Sequence, residues 1–133
     1  MIIVGQHQEI LGRWICEKTK ATYIPEAEQY IGLVGEDGKI KAVTAYGQFN
    51  GASVMVHVAI EGRLTKEFIR LCYDYPFNQL GVYKLVGLVS SLNKKALKFD
   101  LHSGWVEECV IKGGVVGGDL HILTMTREQC KFI

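Results

Sequence analysis

Two dipeptides, Asp37-Gly38 and Asn50-Gly51, each fall between short apolar segments, and they constrain the chain more than any other feature. Asp-Gly and Asn-Gly readily adopt the positive φ values that tight hairpin turns need, so the segments they join must return antiparallel. Those segments are Tyr30 to Val34, Ile40 to Tyr46 and Ala52 to Ile60, and together they predict an antiparallel meander. Before the meander, Ile10, Leu11, Trp14 and Ile15 recur at helical spacing and predict a helix over Glu9 to Lys20, ended by a polar stretch containing Pro25. After Ile60 the period changes again. Thr65 is a good N-cap, and Phe68, Ile69, Leu71 and Cys72 form an apolar helical face that ends near Pro76.

A compact apolar strand follows at Tyr83 to Val89, then a helix over Asn93 to His102 that Ser103-Gly104 stops. The last strands are Trp105 to Ile111 and Leu120 to Met125, separated by a loop with two Gly-Gly pairs. A strand-helix-strand unit in the middle requires a parallel pair and a right-handed crossover, whereas the meander is antiparallel. The expected class is mixed α/β with helices on both faces of one sheet.

Composition narrows the functional classes. The chain has 133 residues, 48% of them hydrophobic, which suits one domain spanning 1–133 with a core that needs no disulfide or metal. A formal net charge of +1 argues against a broad nucleic-acid-binding face. No segment approaches the run of about 18 apolar residues that a membrane span needs. The scattered Cys16, Cys72, Cys109 and Cys130, with no export signal before them, read as free thiols in a reducing, cytoplasmic setting. His7, His57, His102 and His121 are too dispersed for a metal motif. Neither a P-loop nor a Rossmann fingerprint occurs, and Gly113-Gly114-Val115-Val116-Gly117-Gly118 lacks the following helix that a phosphate cradle requires.

Asn93-Lys94-Lys95-Ala96, an apolar helix, Ser103-Gly104-Trp105 and a closing strand resemble the C-terminal half of the GNAT N-acetyltransferases, with Trp105 where that family commonly has phenylalanine. The order of elements from Tyr30 to Met125 resembles the family too. The segment Phe68 to Val82 looks like small GNAT-like proteins often encoded by phages and prophages. The resemblance implies a GNAT-like acyl-CoA N-acyltransferase fold: a central mixed, mostly antiparallel sheet flanked by helices. It also implies acetyl-CoA as co-substrate, an amine as acceptor, and two splayed parallel strands, with Val58 and Ile60 offering backbone to the cofactor. The acceptor is left open, with specificity expected from the N-terminal helix region and the loops near Gln48 and Gly113 to Asp119. A homodimer is allowed.

In that family a glycine-rich turn before the helix receives the coenzyme A pyrophosphate on backbone amides. The matching residues here are Arg63, Leu64, Thr65 and Lys66, and Lys66 and Phe68 stand where glycine and a small residue are expected. Capped by Thr65, the helix still offers free amides, and Arg63 and Lys66 add charge; the same residues also suit an ordinary solvated turn. Asn93 suits a helix cap and, by the resemblance, a cofactor contact.

Acetyl transfer to an amine needs a proton acceptor. His57 and Glu61 lie on one face of their strand by period-two alternation, and they are the candidate bases, although a lone His among apolar residues also suits a structural role. Tyr46 and Ser90 are weaker candidates for substrate contact. Where many members carry a tyrosine that protonates the leaving thiolate, this chain has Asp100, expected as an ionised surface residue. A different reading follows from the missing glycine and tyrosine: a GNAT-fold protein without catalysis that binds a protein partner through an exposed aromatic segment, Tyr73 to Phe77.

Overall fold

The computed structural model describes residues 1–133. The meander forms as the turn chemistry requires: β2 (Glu28–Val34), β3 (Ile40–Gly47) and β4 (Ser53–Ile60) pair antiparallel, and Gly38 and Gly51 take φ of 79° and 90° in the turns. Ahead of them lies a short strand the sequence pattern does not reveal, β1 (Ile2–Val4), which pairs antiparallel with β2 through Ile3 and Gly32. Helix α1 (Gln8–Thr19) connects the two and ends on Lys20 in the left-handed conformation, whose N–H bonds back to Cys16.

Next come α2 (Lys66–Asp74), a single wide π-helical turn (Tyr75–Gln79), β5 (Lys84–Ser90), α3 (Lys94–His102), β6 (Val106–Val115) and β7 (Gly118–Thr126). The sheet order is β1-β2-β3-β4-β5-β7-β6, and only β4 and β5 run parallel. β6 is longer than the sequence predicts. It takes up Gly113 and Gly114, so the expected glycine loop shrinks to a turn at Val116 and Gly117. No helix is long and apolar enough to cross a membrane.

Alternation along the strands divides the core into two layers. Tyr30, Val43 and Ala45 face α1 and bury its Leu11 and Ile15. Gly32 makes this approach possible, because a Cβ there would lie 2.6 Å from the Leu11 side chain. Ile31, Leu33, Ala42 and Val54 point the other way, to a larger cluster with Phe68, Phe77, Leu85 and Met125. Each fully buried Leu, Ile or Phe contributes about 1.5–3 kcal/mol. β5 and β6 are parallel to β4 and displaced successively in one direction, so right-handed crossovers set α2 and α3 on this second face. Helices therefore cover both faces, but α1 packs mainly on β2, β3 and β4.

Candidate active site at the parting of two strands

β4 and β5 are joined at Ser53–Lys84, Val54–Leu85 and Met55–Val86, and there the ladder stops, although β4 continues to Ile60 and β5 to Ser90. Each remains paired on its outer edge over that length, β4 with β3 and β5 with β7. The two halves of the sheet thus part beyond Met55. Glu61 N–H donates to Lys41 O at 2.7 Å, while Ala52 O accepts from Tyr83 at 2.8 Å. Strand alternation between these fixed points turns the N–H and C=O groups of Val58 and Ile60 into the parting. Their side chains, 45% and 47% exposed, lie on the face of α2 and α3. Openings at the carboxyl ends of parallel strands are where α/β sheets bind ligands.

At the end of β4 the chain turns through Arg63 and Leu64 into α2. Thr65 caps the helix by accepting the Phe68 N–H at 3.1 Å, and Thr65 O takes the Ile69 N–H at 3.1 Å. The amides of Lys66 and Glu67 are left without intrahelical partners at the positive end of the helix dipole. Arg63 and Lys66 are exposed beside them, and Leu64 is half-buried against the core. Phe68, where a small residue was expected, is 1% exposed and packs in the main core, so the departure from the glycine pattern has a structural cause. Asn93 caps α3, its Oδ1 accepting the Ala96 N–H at 3.2 Å, with Lys94 and Lys95 exposed just behind.

On the α1 face, His57 and Glu61 share one side of β4 but are not brought together. Glu61 is held by Lys18 at 2.8 Å, whereas His57 Nδ1 lies 3.6 Å from Glu28 Oε2. The other oxygen of Glu28 accepts from Tyr30 Oη at 3.2 Å. Burial and then the charge of Glu28 raise the Tyr30 phenol well above its usual range, so it remains a donor. Glu28 escaped the sequence analysis because only the pairing register, Glu28 opposite Gly47, carries it toward His57.

The α2 face corrects three expectations. Asp100 is not a surface residue: it is half-buried, and burial pushes its carboxyl up to about 6. That weakens the ground on which the sequence excludes it as a proton donor. The segment Tyr73 to Phe77 is not an exposed aromatic patch. Pro76 and Phe77 are buried, Tyr73 stacks on Phe132 at 4.9 Å, and Tyr73 Oη accepts from Trp105 Nε1 at 3.0 Å. Tyr46 is buried and bonded to Cys72 O, so it does not line an accessible site. Ser90 holds the turn into α3, its Oγ accepting the Leu92 N–H at 3.1 Å.

No protein-family model matches the chain, and a comparison with curated proteins finds no match. Solved structures do match. A mutant form of the spermidine/spermine N-acetyltransferase from Vibrio cholerae superposes with a TM-score of 0.78 at 15% identity, covering 97% of this chain and 95% of that one. The fold is that of the GNAT acyltransferases. A candidate phosphinothricin N-acetyltransferase gives a TM-score of 0.71 at 16% identity, with 95% and 97% of the two chains covered. A dodecameric spermidine N-acetyltransferase from Vibrio cholerae gives 0.68 at 19% identity over 79% of this chain and 68% of that one. At such identities the GNAT likeness is one of fold. The narrower resemblance of residues 68–82 to phage-encoded proteins gains no support from these structures.

Proposed function

We propose that this chain is an N-acetyltransferase that moves the acetyl group of acetyl-CoA to an amine. The observation that carries the reading is the parting of β4 and β5 beyond Met55 and Val86, which leaves the backbone edge at Val58 and Ile60 unpaired and opens toward the start of α2. A fold shared with a spermidine/spermine N-acetyltransferase and a candidate phosphinothricin N-acetyltransferase supports it.

The residues suit coenzyme A. An extended chain bearing amides fits an unpaired strand edge, and phosphates fit the free amides of Lys66 and Glu67 with Arg63, Leu64, Thr65 and Lys66 around them. Asn93 and the lysines behind it stand on the other side of the opening. Acetyl-CoA, when bound, supplies a thioester carbonyl open to attack. Unpaired N–H groups on the β4 edge are donors of the kind that stabilise negative charge on that oxygen. His57 takes the proton that the amine must lose; Glu61, occupied by Lys18, is the weaker of the two candidate bases.

A homodimer belongs to the same proposal. Leu88, Val106 and Ile111 are exposed on one face of β5, β7 and β6, opposite the core residues Leu123 and Met125 and away from the strands on which α1 mainly packs. Such an uncovered apolar sheet face suits a second copy.

Thermal shift with acetyl-CoA tests the reading, since a ligand at 100 times its Kd stabilises by about 2.7 kcal/mol. Wild type should shift upward, with smaller shifts for Arg63→Ala and Lys66→Ala. No shift at millimolar acetyl-CoA, with both variants behaving as wild type, rejects it. Acetyl transfer to polyamines and other small amines then identifies the acceptor.

A further inference from the structure

We propose that Glu28 is the positioning residue of the transfer centre, its charge keeping the proton of neutral His57 on Nδ1 so that the lone pair of Nε2 is free for the acceptor amine beside the parting of β4 and β5. This rests on the transferase reading and deepens it.

His57 stands two residues past the last β4–β5 pair, Met55–Val86, and its half-exposed side chain lies on the α1 face of the sheet. A neutral imidazole carries one N–H and one lone pair, and the group bonded to one nitrogen decides which is which. Glu28 is the carboxylate nearest Nδ1; at 3.6 Å it stands beyond hydrogen-bond length and acts on the Nδ1 proton through its charge. The Glu28 side chain is itself located. It lies over Gly47, where a Cβ would come within 3.1 Å of its Cγ, so a larger residue at 47 would displace it. Tyr30 occupies Oε1 at 3.2 Å and leaves Oε2 for the histidine.

Tyr30 is buried, and its raised pKa keeps it a neutral donor rather than a second anion. Ionisable groups facing this cluster are Glu28 and Tyr30 from β2, Tyr23 from the segment before β2, and Cys16 from α1, whose thiol burial and Glu28 both raise. Glu61, on the same face of β4, is engaged by Lys18. A proton drawn to Nδ1 by Glu28 therefore leaves Nε2 as the base. In the step it serves, the amine nitrogen forms the new C–N bond to the acetyl carbon and the C–S pair leaves on sulfur. The proton lost by the amine goes to Nε2.

Histidine 15N spectra of the full chain, with His57 assigned from His57→Gln, read the tautomer directly. Neutral His57 in wild type should carry its proton on Nδ1, and Glu28→Gln should shift the population toward Nε2–H. The same variant should lose roughly 10- to 100-fold in kcat, up to the lower end of what a positioned general base contributes, with the KM for acetyl-CoA unchanged. A wild type that transfers acetyl groups while holding the proton on Nε2 overturns the role of Glu28 alone. So does a Glu28→Gln protein with wild-type kcat. Failure of wild type to bind acetyl-CoA overturns the transferase reading and this role with it, and the tautomer then shows whether the pair exists without transfer.

Discussion

The hydroxyl of Tyr46 donates to the backbone carbonyl of Cys72 at 2.7 Å, in place of a bond that the helix cannot make. In an α-helix that carbonyl would receive the N–H four residues on, but residue 76 is proline and has none. The chain widens into the π turn, where Leu80 N–H reaches Tyr75 O at 3.0 Å and Pro76 and Phe77 are buried. A residue of β3 thus completes a helix end one layer away. Tyr46→Phe strips the donor and leaves a carbonyl unsatisfied in the core, at a cost of about 1–3 kcal/mol. Urea unfolding should register that loss. Acetyl-CoA should stabilise the variant as much as it stabilises wild type, because Tyr46 supports the site's frame and does not line its opening.

Phe68 and Lys66 occupy the two motif positions where small residues were expected, and the fold uses them differently. Phe68→Gly empties a core position, with about 3–5 kcal/mol lost for the ring and up to about 1 kcal/mol more for glycine in a helix. Restoring the family pattern there should leave the chain largely unfolded, as circular dichroism would reveal. Lys66→Gly sits at the exposed first helical position and should fold. Removing its charge should raise the Kd for acetyl-CoA by about two- to fivefold, the range of an exposed ion pair worth up to about 1 kcal/mol. The difference should shrink as salt is added. Tighter binding by Lys66→Gly would show that backbone access limits the site instead.

What was legible in the sequence follows from how local each signal is. The meander, both crossover helices and the closing hairpin announce themselves through turn dipeptides, caps and periods carried by adjacent residues. β1 did not, since Ile2 to Val4 is too short to show a period. The burial of Tyr73 to Phe77 is hidden in the sequence because a proline that commonly ends an α-helix here begins a wider turn packed on the core. At the site, Thr65 and Asn93 were readable as caps. Glu28 was not, because its neighbour His57 is set by strand register across β3, and nothing near residue 28 encodes that.

The uncovered face of β5, β7 and β6 predicts how the chain associates. Ile111 lies opposite Leu120 and is exposed, as are Val106 on the same strand and Leu88 two strands away. Ile111→Glu puts a charge on this patch while changing the fold of one copy little, since exposed substitutions usually move stability by less than about 0.5 kcal/mol. Light scattering should find a dimer for wild type and a monomer for the variant, with similar circular dichroism. A dimer in both would place the contact elsewhere.

Asp100 supplies a pH dependence with a definite sign. Burial raises its carboxyl from 3.8 to about 6, so between those values the folded state holds a proton that the unfolded state has released. Stability from this group is therefore lost as pH rises through that window and stays lost above it. Asp100→Asn removes the buried charge. It should raise Tm at pH 7.5 by on the order of a few degrees and change it little near pH 4. Solvent reaching the half-buried carboxylate keeps the gain below what the whole shift implies. Differential scanning calorimetry at the two pH values checks the sign. Turnover measured on the same preparations separates two roles for the carboxyl. If it only sits buried beside Tyr73, the variant is more stable and equally active; if it protonates the departing thiolate, the variant gains stability and loses turnover, because an amide cannot donate that proton.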